Sequence, residues 1–427
     1  MPSSRRVTPA PSPTAPSDTP TGYRSLLRNR EFSGLYISFT LTVAASTLSG
    51  FALGALVNHR TGSPFLTAVS MYGATFATVL GALTLMSVAD GKRPCRTLLL
   101  LQLVSLAGVA AQAVPGLPLV ARFALLLTLG FFQSLGTGTR LGLLAEVVPV
   151  SAYAPARSLM NVTSGGTAIL GYAVGAVLLR YLSPYELFAV AAALTALGTV
   201  VVAATVREHS IRLTRRPGLR RTWTTNAELF AHPGRRTLLL NLWVPNGLIV
   251  GCEALFLSYD PEGAGTLLAA ASAGMLLGDL IVGRLLDAER RRRVAFALRL
   301  LLAAPFLLFA AHPPVLVAAV AVGLAGVGFA ATLPLQEQLL EQTPEAIRGQ
   351  VQGVESAGRM TCQGIGAALA GGLAQFVAPG TAMAVVAGVS VAVTVLCRPS
   401  LRTGPGAAVR GRTYRGSTAA ARPTPDA

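Results

Sequence analysis

Charge is scarce in this chain. Only 12% of its 427 residues are Asp, Glu, Lys or Arg, roughly half of the ~25% of an ordinary soluble domain. Acids are the scarcer sign, 18 against 35 bases, while 52% of residues are hydrophobic. Such a chain cannot cover a water-facing surface, which excludes a soluble globular enzyme or binding domain. Lysine is almost missing: Lys92 stands alone beside thirty-four arginines. That bias, with abundant Ala, Gly and Pro, reads as the mark of a GC-rich bacterial genome. Aromatics reach only 6%. A nucleic-acid site needs basic residues massed on one solvated face with aromatics among them, so the net charge of +17 does not point to nucleic acid. The four cysteines, Cys95, Cys252, Cys362 and Cys397, have no paired spacing, and neither a disulfide framework nor a zinc site is indicated. The four histidines, His59, His209, His232 and His312, fall at the ends of apolar runs, so no buried metal cluster is expected, and no cofactor.

What the chain has is length in apolar runs. They fall near 33–57, 64–88, 97–114, 118–146, 157–180, 184–206, 237–259, 264–286, 294–311, 313–340, 350–377 and 380–397. Most approach the ~20 residues that a helix needs to cross the hydrocarbon core of a bilayer. The expected fold is an all-α membrane protein of twelve transmembrane helices. Residues 1–32, rich in Pro, Ser and Thr, lack the apolar core of a leader peptide and read as a disordered cytosolic tail, as do residues 398–427.

Cytoplasmic loops collect Lys and Arg. With the N-terminus placed inside, 29 of the 35 basic residues fall on inner segments. Arg60, Arg122 and Arg180 fall in outer loops, and Arg140, Arg299 and Arg359 inside spans. Twelve spans with both ends in the cytoplasm, in a plasma (inner) membrane, follow. The long polar stretch 207–236 reads as a cytosolic linker between two six-helix halves, 33–206 and 237–397. The halves keep register: Asp90 and Asp287 lie 197 positions apart, the Leu143 and Leu339 pairs 196, and Arg157 and Arg348 191. A parallel repeat of six spans is a transporter layout, with substrate near the midplane between the halves.

The charged turn Gly283-Arg284-Leu285-Leu286-Asp287-Ala288-Glu289-Arg290-Arg291-Arg292-Arg293 resembles the loop Gly-x-x-x-Asp-(Arg/Lys)-x-Gly-(Arg/Lys)-(Arg/Lys) of the major facilitator superfamily. Gly283, Asp287, Arg291 and Arg292 match; Ala288 and Arg290 depart. Upstream, Asp90 and the bases Lys92, Arg93 and Arg96 keep the pattern, with Met86 in the place of the glycine. The chain is similar to that superfamily over roughly 30–398. Leu26-Leu27-Arg28-Asn29-Arg30-Glu31-Phe32 and Thr61-Gly62-Ser63-Pro64 resemble its enterobactin-exporter and macrolide-efflux branch. The resemblance implies that Asp287 faces the start of span five, near Arg157, and Asp90 the start of span eleven, near Arg348, where helix N-termini favour a carboxylate. Asp90, Arg157, Gly283, Asp287 and Arg348 are thus inner-gate candidates. Basic loops also serve as bare orientation signals, so that reading stands beside the gate.

Ionisable groups within spans are costly and hence candidates for function. Glu253 lies in span seven after Asn241, Pro245 and Asn246, the most polar-interrupted run. Asp279 shares a helix face with Gly283 and Asp287 at a spacing of four. Both acids are candidates to bind and release a proton; a hydrogen bond to a neighbouring helix is the plain alternative. Asn241, Asn246 and Gln133 are cavity candidates. Arg140 and Glu337, at equivalent places in spans four and ten, suit a structural pair, and Glu355 and Arg359, four apart with Glu first, an intrahelical one. No Walker-type loop occurs in 207–236, so a gradient rather than ATP is the expected drive. Together these features predict a monomeric, proton-coupled exporter of small amphipathic molecules such as drugs or natural products, with the lipid bilayer as its other partner and no enzymatic reaction. An importer, or a non-transporting receptor or assembly factor with the same fold, are the alternatives.

Overall fold

The computed structural model describes residues 23–85, 93–208, 230–344 and 347–397. Among the described residues every regular element is a helix. A short one, Tyr23–Arg28, precedes twelve long ones: α1 (Arg30–Thr61), α2 (Pro64–Leu85), α3 (Pro94–Gln112), α4 (Leu119–Val147), α5 (Val150–Leu178), α6 (Pro184–Thr205), α7 (Pro233–Tyr259), α8 (Ala264–Leu285), α9 (Ala288–Ala311), α10 (Val315–Glu341), α11 (Arg348–Leu373) and α12 (Pro379–Leu396). Ten are long and apolar enough to cross a membrane. α5 and α11, of 29 and 26 residues, are equally long but more polar; α11 carries Glu355, Arg359 and Gln363. Exposed Leu100, Val120, Leu170, Leu316 and Leu396 stud the outer surface of the bundle, as a lipid-facing belt requires. The chain is an all-α, multi-pass membrane protein.

Short polar residues set the helix ends. Asn29 caps α1, its Oδ1 accepting the amides of Glu31 and Phe32 at 3.0 and 3.2 Å. Gly62, at φ 58°, ends the helix in the left-handed region that glycine enters without steric cost. Ser183 and Glu186 form a capping box on α6. Residues 23–28 and 30–32, expected as tail, are helical: buried Leu26 and Phe32 anchor them to the first half, a contact that the polar neighbours in the sequence hide. The linker 207–236 lies mostly outside the described residues; Pro233–Arg236 form the first turn of α7. The tail 398–427 lies outside them altogether.

The two halves repeat one packing scheme. In the first, α1 packs on α5 and α6, α2 on α4, and α3 on α4 and α6; in the second, α7 packs on α11 and α12, α8 on α10, and α9 on α10 and α12. Glycine permits the tightest crossings: a Cβ on Gly278 would stand 2.9 Å from the Val327 Cα, and one on Gly251 2.7 Å from the Gly366 carbonyl carbon. Packing at such range stabilises helix pairs where lipid supplies no hydrophobic drive. Between halves the main contacts are α2 on α11 and α5 on α8, again equivalent pairs. The hydrogen bonds joining the halves cluster at one face. There Asn58 Nδ2 donates to the Leu257 carbonyl (2.9 Å) and Gln375 Nε2 to Ser63 Oγ (2.8 Å). At the opposite, basic face, Arg291 pairs with Glu337 at 2.7 Å and Arg292 with Glu341, tying α9 to α10 within the second half. No ion pair between described residues joins the halves.

Candidate functional site

α7 carries the centre of the site. It contains Pro245, which leaves a backbone carbonyl without its usual partner, and its main segment ends at Glu253, where the chain bends before Phe256–Tyr259. Gly247 and Gly251 let α11 approach closely on one side. Glu253 is turned to the other half and is 5% exposed. A cavity of about 260 Å³ lies against it, lined by Tyr72 of α2, Tyr172 of α5, Asn246, Ser272 of α8, Arg359 and Gln363. Asn246 Oδ1 accepts from Gln363 Nε2 at 2.9 Å. No hydrogen bond or ion pair from a described residue engages the Glu253 carboxyl. A buried carboxylate without a partner costs several kcal/mol, and the cavity is the side from which this one can be reached.

Arg359 reaches the same cavity from α11, held by Glu355 Oε1 at 3.1 Å. Glu355 also accepts from Gln336 Nε2 at 3.2 Å, and the Trp243 indole donates to its carbonyl at 2.9 Å. The pair read from spacing is therefore made, and its arginine borders the site as well. Tyr72, Tyr172, Gln363 and Trp243 escape a reading by charge; the available signal was an amphipathic side chain with a polar tip in an apolar span.

The other candidates divide. Asn241 is fully buried and both its amide atoms lack partners. Gln133 borders two cavities inside the first half, of about 170 and 310 Å³. Asp279 is exposed and shares a face of α8 with Ser272 and Met275, two residues that line the Glu253 cavity. Arg140 and Glu337 are not brought together: Glu337 is taken by Arg291, whereas the Arg140 guanidinium lies over the Phe39 ring, 5.3 Å from its centroid. Equivalent places in a repeat are related by the repeat symmetry and need not touch. Asp287 is not at the start of α5. Its Oδ1 accepts the Arg290 amide at 2.8 Å, capping α9, and its side chain is 63% exposed. The first turn of α9 offers it a free amide three residues away. Gly283 lies on α8 with the Leu333 side chain 3.7 Å from where its Cβ would be, and Arg157 is exposed on α5. Asp90 lies outside the described residues; Arg348 opens α11, its side chain outside the description.

Two further arginines are fully buried, with contrasting surroundings. Arg122, expected in an outer loop, is fully buried in the first turn of α4. Its guanidinium donates to the carbonyls of Val114 (2.7 Å) and Leu117 (3.2 Å) and to that of Gln112, satisfying the end of α3. Arg299 is fully buried in α9, and none of its three side-chain nitrogens has a hydrogen-bond partner. Among the described residues no group of His, Cys, Asp and Glu could hold a metal ion.

Two equivalent six-helix halves meeting around a cavity give the major facilitator fold. A family model described as Major Facilitator Superfamily matches residues 237–423, which takes in the second half and most of the stretch that follows it. A search of curated proteins finds no match. Among solved structures, the chain is similar to the nucleoside transporter NupG at 14% identity, TM-score 0.69, covering 88% of this chain and 100% of that one. It is similar to the peptide transporter POT in complex with sulfate at 14% identity, TM-score 0.69, covering 89% and 96%. A bacterial homolog of the human lysosomal transporter Spinster, solved inward-facing and unoccupied, matches at 13% identity, TM-score 0.65, covering 88% and 94%.

Proposed function

We propose that the chain is a secondary active transporter that exports small amphipathic molecules by alternating access, with proton movement through Glu253 as its drive. The observation that carries this reading is the Glu253 carboxyl. It is buried and unpartnered, and it lies on one half of the molecule against a cavity that tyrosines of the other half complete. A group so placed is bare or protonated according to whether the halves leave it open to water, which couples a proton to their rocking. The fold shared with NupG, POT and the Spinster homolog supports transport of a small molecule. Asp279, on the cavity side of α8, is a second site for the same proton.

The basic face is the cytosolic one by the placement of arginine, and both termini lie there, in a plasma membrane. The face joined by Asn58 and Gln375 is then external, and the molecule stands closed outward. In the alternate state Asp287 leaves its cap for the start of α5 and Asp90 meets the start of α11, closing the inner side. The two stretches that resemble the enterobactin-exporter and macrolide-efflux branch support export, and they also serve as the cap of α1 and the α1–α2 turn. Inverted vesicles test the proposal. A substrate drawn from a compound panel should dissipate a proton gradient in parent vesicles, and Glu253→Gln should abolish that dissipation while leaving substrate binding. Undiminished coupling in Glu253→Gln would refute the assignment, and accumulation only in right-side-out vesicles would reverse the direction.

A further inference from the structure

Arg140 stands out among the buried arginines. It lies on α4 two turns before Val147 and is 8% exposed. It borders the cavity of about 310 Å³ inside the first half, walled by α1, α3, α4, α5 and α6. The Phe39 ring covers one face of its guanidinium and so orients the plane, leaving the hydrogen-bonding edge free. Its Nε is buried without a partner, and no hydrogen bond or ion pair reaches the side chain among the described residues. Arg122 is engaged by carbonyls at Nε and at both terminal nitrogens, and the charge of Arg359 is balanced by the Glu355 carboxylate at its Nε. Arg299 is unpartnered too, but it lines none of the three cavities described above. Among the described residues no acid lines the Arg140 cavity; the rest of its polar wall is neutral, with Gln102, Gln133, Ser46, Ser105 and Ser164 among it.

A guanidinium removed from water without a counter-charge is costly. An anion entering the cavity offsets that cost through a bidentate, charge-assisted pair with the planar fork, and the serine hydroxyls and the Gln133 amide can donate to its remaining oxygens. A cationic group would meet repulsion there. We propose that the first half holds a receptor for an anionic group of the cargo, a carboxylate, sulfonate or phosphate, centred on Arg140. The proposal rests on the transport reading above and adds to it the chemical class of the substrate.

The test is direct binding to the full-length protein in lipid nanodiscs, read by naphthalene fluorescence. The probes are naphthalene-2-carboxylate, the neutral naphthalene-2-carboxamide and the cationic naphthalen-2-ylmethylammonium. The carboxylate should bind about tenfold or more tighter than the carboxamide, as charge-assisted pairing predicts. Arg140→Gln should erase that preference while keeping carboxamide affinity and melting temperature. Arg140→Lys, which keeps charge without the fork, should retain part of it and serves where the glutamine variant fails to fold. The proposal is overturned if the carboxylate binds no tighter than the carboxamide, if the cation binds tightest, if none of the three binds, or if the preference survives in both Arg140 variants at full strength. A preference lost only on Arg359→Gln would move the anion to the Glu253 cavity and overturn it equally. Because binding is read without turnover, anion preference without vesicle transport would sink the transport reading alone. Cargo transport without anion preference would sink the receptor alone.

Discussion

Arg122 and Arg299 are both fully buried, and their surroundings predict opposite responses to the same change. Arg122 donates to three backbone carbonyls, each worth about 1.5–3 kcal/mol as a bond to a charged group, and its removal strands them. Arg299 donates to none, although it lies within electrostatic range of Glu355. Replacing a buried charge by an apolar residue of similar volume is often neutral or stabilising when no partner is orphaned. Arg122→Met should therefore lower the melting temperature of the purified protein by several degrees, whereas Arg299→Met should leave it unchanged or raise it. Equal losses in both would mean that bulk, not hydrogen bonding, keeps these arginines. At this scale the sequence was legible wherever chemistry is local. The Glu355–Arg359 pair follows from a spacing of four on one helix. The partner of Glu337 does not, since Arg291 lies 46 positions away on a different helix.

Helix ends carry a second layer. Asp287 caps α9 in this structure, and the proposed gate asks it to serve the start of α5 in the other state. Asparagine caps about as well as aspartate, while alanine costs about 1 kcal/mol, so the two roles separate. Asp287→Asn should hold the melting temperature of the parent and slow vesicle transport several-fold; Asp287→Ala should lose on both measures. Wild-type transport by Asp287→Asn would leave the residue as a cap and nothing more. Elements were the most legible feature of the chain. Each apolar run became a helix, because a segment of that length in hydrocarbon must satisfy its own backbone hydrogen bonds. The boundaries moved where caps and buried anchors, as at Asn29 and Phe32, reach beyond the apolar run.

The whole molecule is two repeats of one packing scheme joined at one face, and alternating access requires that joint to open. Ser63 and Gln375 hydrogen-bond across it. In a variant whose four cysteines are replaced by serine, Ser63→Cys with Gln375→Cys, bridged by a short thiol-specific cross-linker, should abolish transport, and cleavage of the bridge should restore it. The single-cysteine controls should transport throughout. Full transport by the bridged protein would show that this face never separates and would remove the rocking motion from the mechanism.

Sequence alone determined the all-helical membrane architecture and the succession of long apolar helices, because the thickness of hydrocarbon and the cost of charge within it are constraints along a single dimension. Tertiary structure decided which of those groups meet. It turned Glu253 toward Tyr72 and Tyr172 of the other half, gave Glu337 to Arg291 and left Arg140 facing a cavity with no acid among its described lining residues. Those outcomes depend on the rotation of each helix about its axis and on the end at which the halves close. Both are set by side-chain packing between segments remote in the chain, where apolar periodicity carries little signal, since lipid and protein interior are alike apolar.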